Sequence, residues 1–268
     1  MRPLAEFPFD ARQLIAGVLT DIDDTLTTDG RLTAAAYAAM ERLHAAGLMV
    51  IPVTGRPAGW CDHIARLWPV DAVVGENGAF WMRYDTQHHR LRSVHVAPAA
   101  GQHERRERLV QLGREILAAV PGCALASDQP WRSADLAIDY CEDVTPLPRA
   151  AVDSIVAHMQ AAGLTVKVSS IHVNGWFGDY DKLSTSRRLL AEEFGQDIDG
   201  DRDRARWVFV GDSPNDEPMF AHFPHSVGVA NVAQYANRIR SMPAWITPSH
   251  CGAGFVELAD ALLAARRE

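Results

Sequence analysis

Along the chain, short apolar runs rich in branched residues alternate with longer stretches whose apolar positions recur every three or four residues. "LIAGVLT" (14–20), "LMVIPVT" (48–54), "RWVFVG" (206–211) and "SVGVA" (226–230) are uninterrupted enough to be strands buried on both faces. Between them lie helical patterns. "TAAAYAAMERLHAAG" has Thr33 as an N-cap and Gly47 as a stop, and "AGWCDHIARLW", "DKLSTSRRLLAEEFG" and the closing "AGFVELADALLAARR" follow the same period. "DAVVGENGA" reads as a further strand and its exit turn. Strand and helix alternating over short connections imply a parallel sheet covered on both faces.

The middle of the chain breaks this rhythm. "AFWMRYD" and "LRSVHV" form a hairpin around "TQHHR". A charged helix from about Gln102 to Val120 precedes "CALASD" and "ADLAIDY"; a second, about Ala150 to Ala162, precedes "TVKVSS" and "HVNGWF". This αββαββ order predicts an antiparallel sheet with helices on one face. The expected fold is therefore α/β, a doubly wound parallel core interrupted by an inserted α+β unit. The division is core 1–84, insert 85–177, core 178–268.

Bulk properties narrow the classes of partner. The chain has 268 residues, 47% of them hydrophobic, and a net charge of -8, which argues against binding a nucleic-acid backbone. No apolar run approaches the ~20 residues a membrane span needs. The N-terminal "MRPLAEFPFDARQ" lacks the apolar core of a signal peptide. The four cysteines are scattered without CxxC spacing, as in a reduced protein, so a cytoplasmic location is expected. No heptad or interface stripe indicates an oligomeric state.

Ligands of open α/β sheets bind beyond the carboxyl ends of the strands. Asp21 and Asp23 lie at one such end, Thr54, Gly55 and Arg56 at a second, and Asp212, Ser213, Asn215 and Asp216 at a third; Lys182 opens the helix after the insert. If the strands are neighbours, these groups share one crevice. Facing carboxylates repel, so a divalent cation is their natural neutraliser, and oxygen-only ligation favours Mg²⁺ over Zn²⁺. The Thr54 hydroxyl, the Lys182 ammonium and free backbone amides such as those near Gly55 suit an anion. One carboxylate can attack phosphorus, and another two residues on can move the proton, which together describe chemistry on a phosphate monoester.

The motifs "DIDDT", "VTGR", Lys182 and "VGDSPNDEPMF", with "GENGAF" between, resemble in order those of the haloacid dehalogenase superfamily, in its Cof-like or IIB subgroup. The position of the insert, between Asn77 and Lys182, resembles the C2 cap of sucrose-phosphate and mannosyl-phosphoglycerate phosphatases and of phosphomannomutase. The resemblance implies Asp21 as nucleophile and Asp23 as acid and base. It implies Mg²⁺ ligation by Asp21, the Asp23 carbonyl, Asp212 and Asp216, the last directly or through water. Thr54 and Lys182 would hold phosphate, with Asn215 orienting. The implied function is hydrolysis of small phosphorylated metabolites, sugar phosphates favoured; phosphomutase or phosphotransferase activity is the alternative, and a decayed, non-enzymatic binding protein the more distant one.

Two positions depart from the pattern. Asp24 stands where many relatives have glycine, and is expected to turn from the metal toward nearby backbone amides. Leu183 and Ser184 follow the lysine where a glycine is usual. On the insert, His172, Asn174 and Trp176 alternate along one strand and so share a face. That face, with Arg132 and Asp128 on a turn and Arg56 on the core, is the candidate for choosing the substrate.

Overall fold

A computed structural model describes residues 1–266. Its central sheet is built from β1 (Gly17–Thr20), β2 (Met49–Pro52), β10 (Trp207–Gly211), β11 (His225–Gly228) and β12 (Trp245–Ile246), with Arg2–Pro3 on the far edge. The order is Arg2–Pro3, β12, β11, β10, β1, β2, and every pairing is parallel. A single parallel bridge, Val53 to Val74, carries the sheet on to β3 (Val73–Gly75). The apolar runs are buried end to end, because helices cover both faces: α1 (Ala34–Ala45) and α7 (Cys251–Ala264) on one, α5 (Lys182–Phe194) and α6 (Glu217–His222) on the other. Thr33 caps α1 by accepting from Ala36 N at 3.2 Å. The expected reach of the last helix to Arg267 falls outside the described residues.

The strands β4 (Phe80–Asp85) and β5 (Arg90–His95) form the expected hairpin, and it is paired to β3. A division at residue 85 would thus cut through a hairpin laid on the core. The antiparallel unit beyond it contains α3 (Gln102–Ala119), β6 (Ala124–Leu125), β7 (Asp135–Asp139), α4 (Arg149–Ala161), β8 (Thr165–Val168) and β9 (His172–Trp176). Its strand order is β8, β9, β7, β6. One face packs Leu136, Ile138 and Val173 against Leu112 and Ile116 of α3 and Ile155 and Met159 of α4. The other face turns toward the core: Trp176 is wholly buried in the core cluster and donates to Tyr180 O at 3.2 Å.

Three polar junctions fasten this unit to the core. Glu76, buried just after β3, accepts from the backbone amides of Ser133 (2.8 Å), Ala134 (2.6 Å) and Asp135 (3.2 Å), and from Ala58 N (3.0 Å) at the start of α2 (Ala58–Leu67). Arg132, with no exposed side-chain surface, pairs with Asp128 and Asp135 and donates to Gly55 O at 2.8 Å. Glu142 lies 2.6 Å from Arg56 on the core and 2.8 Å from His172 on β9.

The turn at Asn77–Gly78 sets where α5 begins. Gly78 has φ +110°, and a Cβ there would lie 2.2 Å from the Asp181 carbonyl oxygen, which is backbone and cannot yield. Thr185 donates to the Gly78 carbonyl at 2.6 Å from the helix side. Gly78→Ala is expected to cost roughly 2–4 kcal/mol and to displace the first turn of α5, as measured by chemical denaturation. Burial pushes the Glu142 carboxyl up, but His172 and Arg56 outweigh it and hold it at about 2 against an ordinary 4.5. A depressed carboxyl stabilises the fold above its unfolded value, so this contribution is complete above pH 4.5 and fades toward pH 2. The stability difference between wild type and Glu142→Gln should therefore shrink as the pH falls below about 4.5.

Candidate active site

β10, β1 and β2 are adjacent, and their carboxyl ends bring Asp212, Asp21 and Thr54 side by side. Asp21 extends the ladder by donating its N–H to Val210 O at 2.9 Å, and its Oδ1 accepts from Ile22 N at 2.9 Å. One carboxylate oxygen from each of Asp21, Asp212 and Asp216 falls within a 4.8 Å cluster, and all three residues are buried. Asp216 is fixed by its own turn: its Oδ2 accepts from the amides of Asp212 (3.0 Å) and Ser213 (3.2 Å). Asp212 accepts from Thr25 Oγ1 and from Asn231 Nδ2, each at 3.2 Å.

Lys182 enters this cluster from the first turn of α5. Its Nζ is 2.7 Å from Asp216 Oδ1 and 3.0 Å from Asp21 Oδ1. The departure at Ser184 has a local function: Asp181 accepts from Ser184 N at 2.7 Å while Ser184 Oγ accepts from Asp181 N at 2.9 Å. This reciprocal capping box fixes the helix start without glycine.

The electrostatics are those of charges taken out of water. Burial raises the Asp21 carboxyl to about 8; Lys182 opposes the rise, and Asp216 and Asp23 add to it. Burial, then Asp216 and Asp21, lift Asp212 well above the carboxylate range. Burial works against the charge of Lys182, yet the facing carboxylates outweigh it and raise its pKa. A lone ammonium leaves this group short of positive charge. The buried all-oxygen donor set fits one hard divalent cation.

Asp23 points elsewhere. Its carboxylate is gripped by Arg56, with Nε at 2.9 and 3.0 Å from its two oxygens and Nη2 at 2.8 Å. Arg56 also stacks over the Trp60 ring at 4.4 Å and reaches Asp128 and Glu142. Thr54 is buried; its Oγ1 accepts from Arg56 N at 3.0 Å, which leaves the hydroxyl proton free to donate. Asn215 is buried, accepts from Ser213 Oγ at 2.7 Å and lies 3.5 Å from Asn77 Oδ1. The structure therefore gathers Asp21, Asp212, Asp216 and Lys182 directly, with Thr54, Gly55 and Asn215 around Asn77.

The insert residues expected to select a substrate are engaged internally. Arg132 is saturated by Asp128, Asp135 and Gly55 O, and Asn174 donates to Asp135 at 2.9 Å. His172 faces Glu142, and Arg56 faces Asp23. Arg132 and Arg56 hold the insert to the core, while Asn174 and His172 bond within the insert on the face of β9 that packs there. Asp24 also differs from expectation: its backbone is left-handed at φ +56°, its N–H donates to Thr27 Oγ1, and its carbonyl accepts from Asn231. Burial raises its carboxyl, and the Ser170 hydroxyl on the insert partly offsets this.

Sequence reasoning missed Asn77, Asn231 and Thr25. Asn77 is buried with φ +54°, and among the described residues its Nδ2 has no hydrogen-bond partner, while its side chain lies beside Gly55 and Asn215. The "ENG" turn was the available signal. An unsatisfied buried donor at this place suits an anionic oxygen.

Residues 18–102 match the family model described as haloacid dehalogenase-like hydrolase. No curated protein matches the chain in sequence. Among solved structures, the C-terminal domain of C. albicans trehalose-6-phosphate phosphatase is similar with a TM-score of 0.71 at 13% identity, covering 98% of each chain. A Thermoplasma acidophilum protein gives 0.69 at 17%, covering 93% of this chain and 98% of its own. The sucrose-phosphatase of Synechocystis, solved with sucrose and phosphate, gives 0.60 at 16%, covering 92% and 98%. At these identities the likeness is one of fold. The matched segment is thus similar to haloacid dehalogenase-like hydrolases, and the whole chain shares its fold with these solved structures.

Proposed function

We propose that the protein hydrolyses small phosphate monoesters, sugar phosphates favoured, through an aspartyl-phosphate intermediate and with Mg²⁺ as cofactor. The observation that carries this reading is the meeting of Asp21, Asp212 and Asp216 with Lys182 at adjacent strand ends. Two structures of the same fold bear the names of sugar-phosphate phosphatases, which supports the choice of substrate class. We also propose that the antiparallel unit within 85–177 acts as the cap.

In this reading Asp21 attacks phosphorus, and the bond from phosphorus to the leaving oxygen breaks. Asp23 gives its proton to that oxygen, then takes one from the water that attacks the aspartyl phosphate, which frees Asp21 and inorganic phosphate. Arg56 fixes the direction of the Asp23 carboxylate. Lys182, the Thr54 hydroxyl and the Asn77 amide would hold the phosphoryl oxygens, with Asn215 setting Asn77. A Mg²⁺ ion held by Asp21, Asp212 and Asp216, with the Asp23 carbonyl, would screen the negative charge that gathers as phosphate meets carboxylate.

Purified protein with Mg²⁺ should release phosphate from 4-nitrophenyl phosphate, and chelation should abolish this until Mg²⁺ is restored. Asp21→Asn should lower kcat by about three orders of magnitude or more. Release that survives Asp21→Asn would remove the nucleophile; interconversion of sugar phosphate isomers without release would point to transfer onto a sugar hydroxyl. Lys182→Met should lose activity and also cost roughly 3–5 kcal/mol of stability, because it strands buried carboxylates.

A further inference from the structure

A cavity of about 340 Å³ opens beside Asp23 on the core side of the seam. Its walls are the short hairpin Thr27–Thr28/Arg31–Leu32 and the outer face of α2. Ile22, Leu32, Ile64, Trp60 and Trp68 make most of it apolar; Asp23 and Arg56 supply the charged end, and His63 the rim. Trp60 is 44% exposed, unusual for so large an apolar ring. One of its faces is covered by the Arg56 guanidinium, 4.4 Å from the ring centroid.

We propose that this cavity is the leaving-group subsite, and that it selects phosphate esters whose leaving alcohol presents a flat apolar face close to the ester oxygen. The proposal rests on the hydrolase reading above. The leaving oxygen must lie within hydrogen-bonding reach of the acid that protonates it. The rest of the leaving group must then occupy space that adjoins Asp23. This cavity is such a space, and Asp23 forms part of its wall. The face of β9 offers little competition, since His172, Asn174 and Trp176 are buried and bonded inward.

The chemistry of the walls fixes the class of ligand. Aromatic side chains with branched aliphatic neighbours pack flat apolar surfaces and gain nothing from a short, flexible, hydroxylated chain. An aromatic ring and the C–H face of a pyranose share the required surface. The single ring nitrogen pair at the rim, on His63, can meet a hydroxyl at the far edge.

The test compares kcat/KM for phenyl phosphate, glucose 6-phosphate and glycerol 3-phosphate in wild type, Trp60→Ala and Trp60→Phe. At least one ring ester should be preferred over glycerol 3-phosphate. Trp60→Ala should reduce that preference about tenfold, mainly through KM, and Trp60→Phe should restore most of it. Which ring ester suffers more identifies the source of the flat face. Independently, the indole N–H resonances of Trp60 and Trp68 in Asp21→Asn protein should shift with the preferred ring ester and not with inorganic phosphate. A ratio untouched by Trp60→Ala, or indole signals that ignore every ring ester, overturns the subsite. If wild type releases no phosphate from any ester while the indoles still respond, the hydrolase reading falls and the ring-binding cavity stands.

Discussion

The ammonium of Lys182 between Asp21 and Asp216 is the contact on which the rest of the site depends. Buried acids at the ends of adjacent parallel strands repel each other in a medium that screens them poorly. Without a cation from the chain itself, the strand ends could not approach as closely as their ladders require. Lys182 reaches them only because α5 starts where it does. That start is fixed by the capping box of Asp181 and Ser184 and by the close passage of Gly78 under the Asp181 carbonyl. The chain thus places a lysine by packing a glycine turn against a helix end.

The same logic of buried charge extends outward from Arg56. Its guanidinium is wrapped by Asp23, Asp128, Glu142 and the Trp60 ring, so that core and insert share one charged cluster. Burial opposes the charge of Arg56, and Asp23 and Glu142 outweigh it. A buried cluster of this kind contributes more to geometry than to net stability, since desolvation offsets most of the attraction. What it fixes is the direction of the Asp23 carboxylate relative to the Asp21 backbone and the seam.

Much of this was legible in the chain. Apolar runs bounded by acids mark the buried strands and their functional ends, because a strand covered on both faces tolerates charge only where it leaves the sheet. The alternation of helix and strand gave the core, and its interruption between Asn77 and Lys182 the inserted sheet. The edge pieces Arg2–Pro3, Trp245–Ile246 and the hairpin at 27–32 were invisible, since strands of two residues have no period to detect. Partnerships across long separations were equally hidden. Asn231 and Thr25 bond Asp212 from distant segments, and nothing local distinguishes them from ordinary polar loop residues. For Asn174 and His172 the residue types were suggestive and the outcome inward-facing, because the strand face they share is the one that docks on the core; Arg132, on a neighbouring turn, is taken up by Asp128, Asp135 and the Gly55 carbonyl.

The grip of Glu76 on the insert is made almost wholly to main chain. Three consecutive amides, those of Ser133, Ala134 and Asp135, converge on one carboxylate. Such a fastening is indifferent to which side chain stands at Ala134, for any residue but proline supplies the same N–H, while at Ser133 the hydroxyl adds a contact of its own at 3.2 Å. It is sensitive instead to length, since one residue added or removed in that loop would carry the row of donors past the acceptor. At this junction the insert can therefore drift in sequence at Ala134 while its register stays locked by a buried acid on the core, whereas the junctions at Arg132 and Glu142 depend on those side chains themselves.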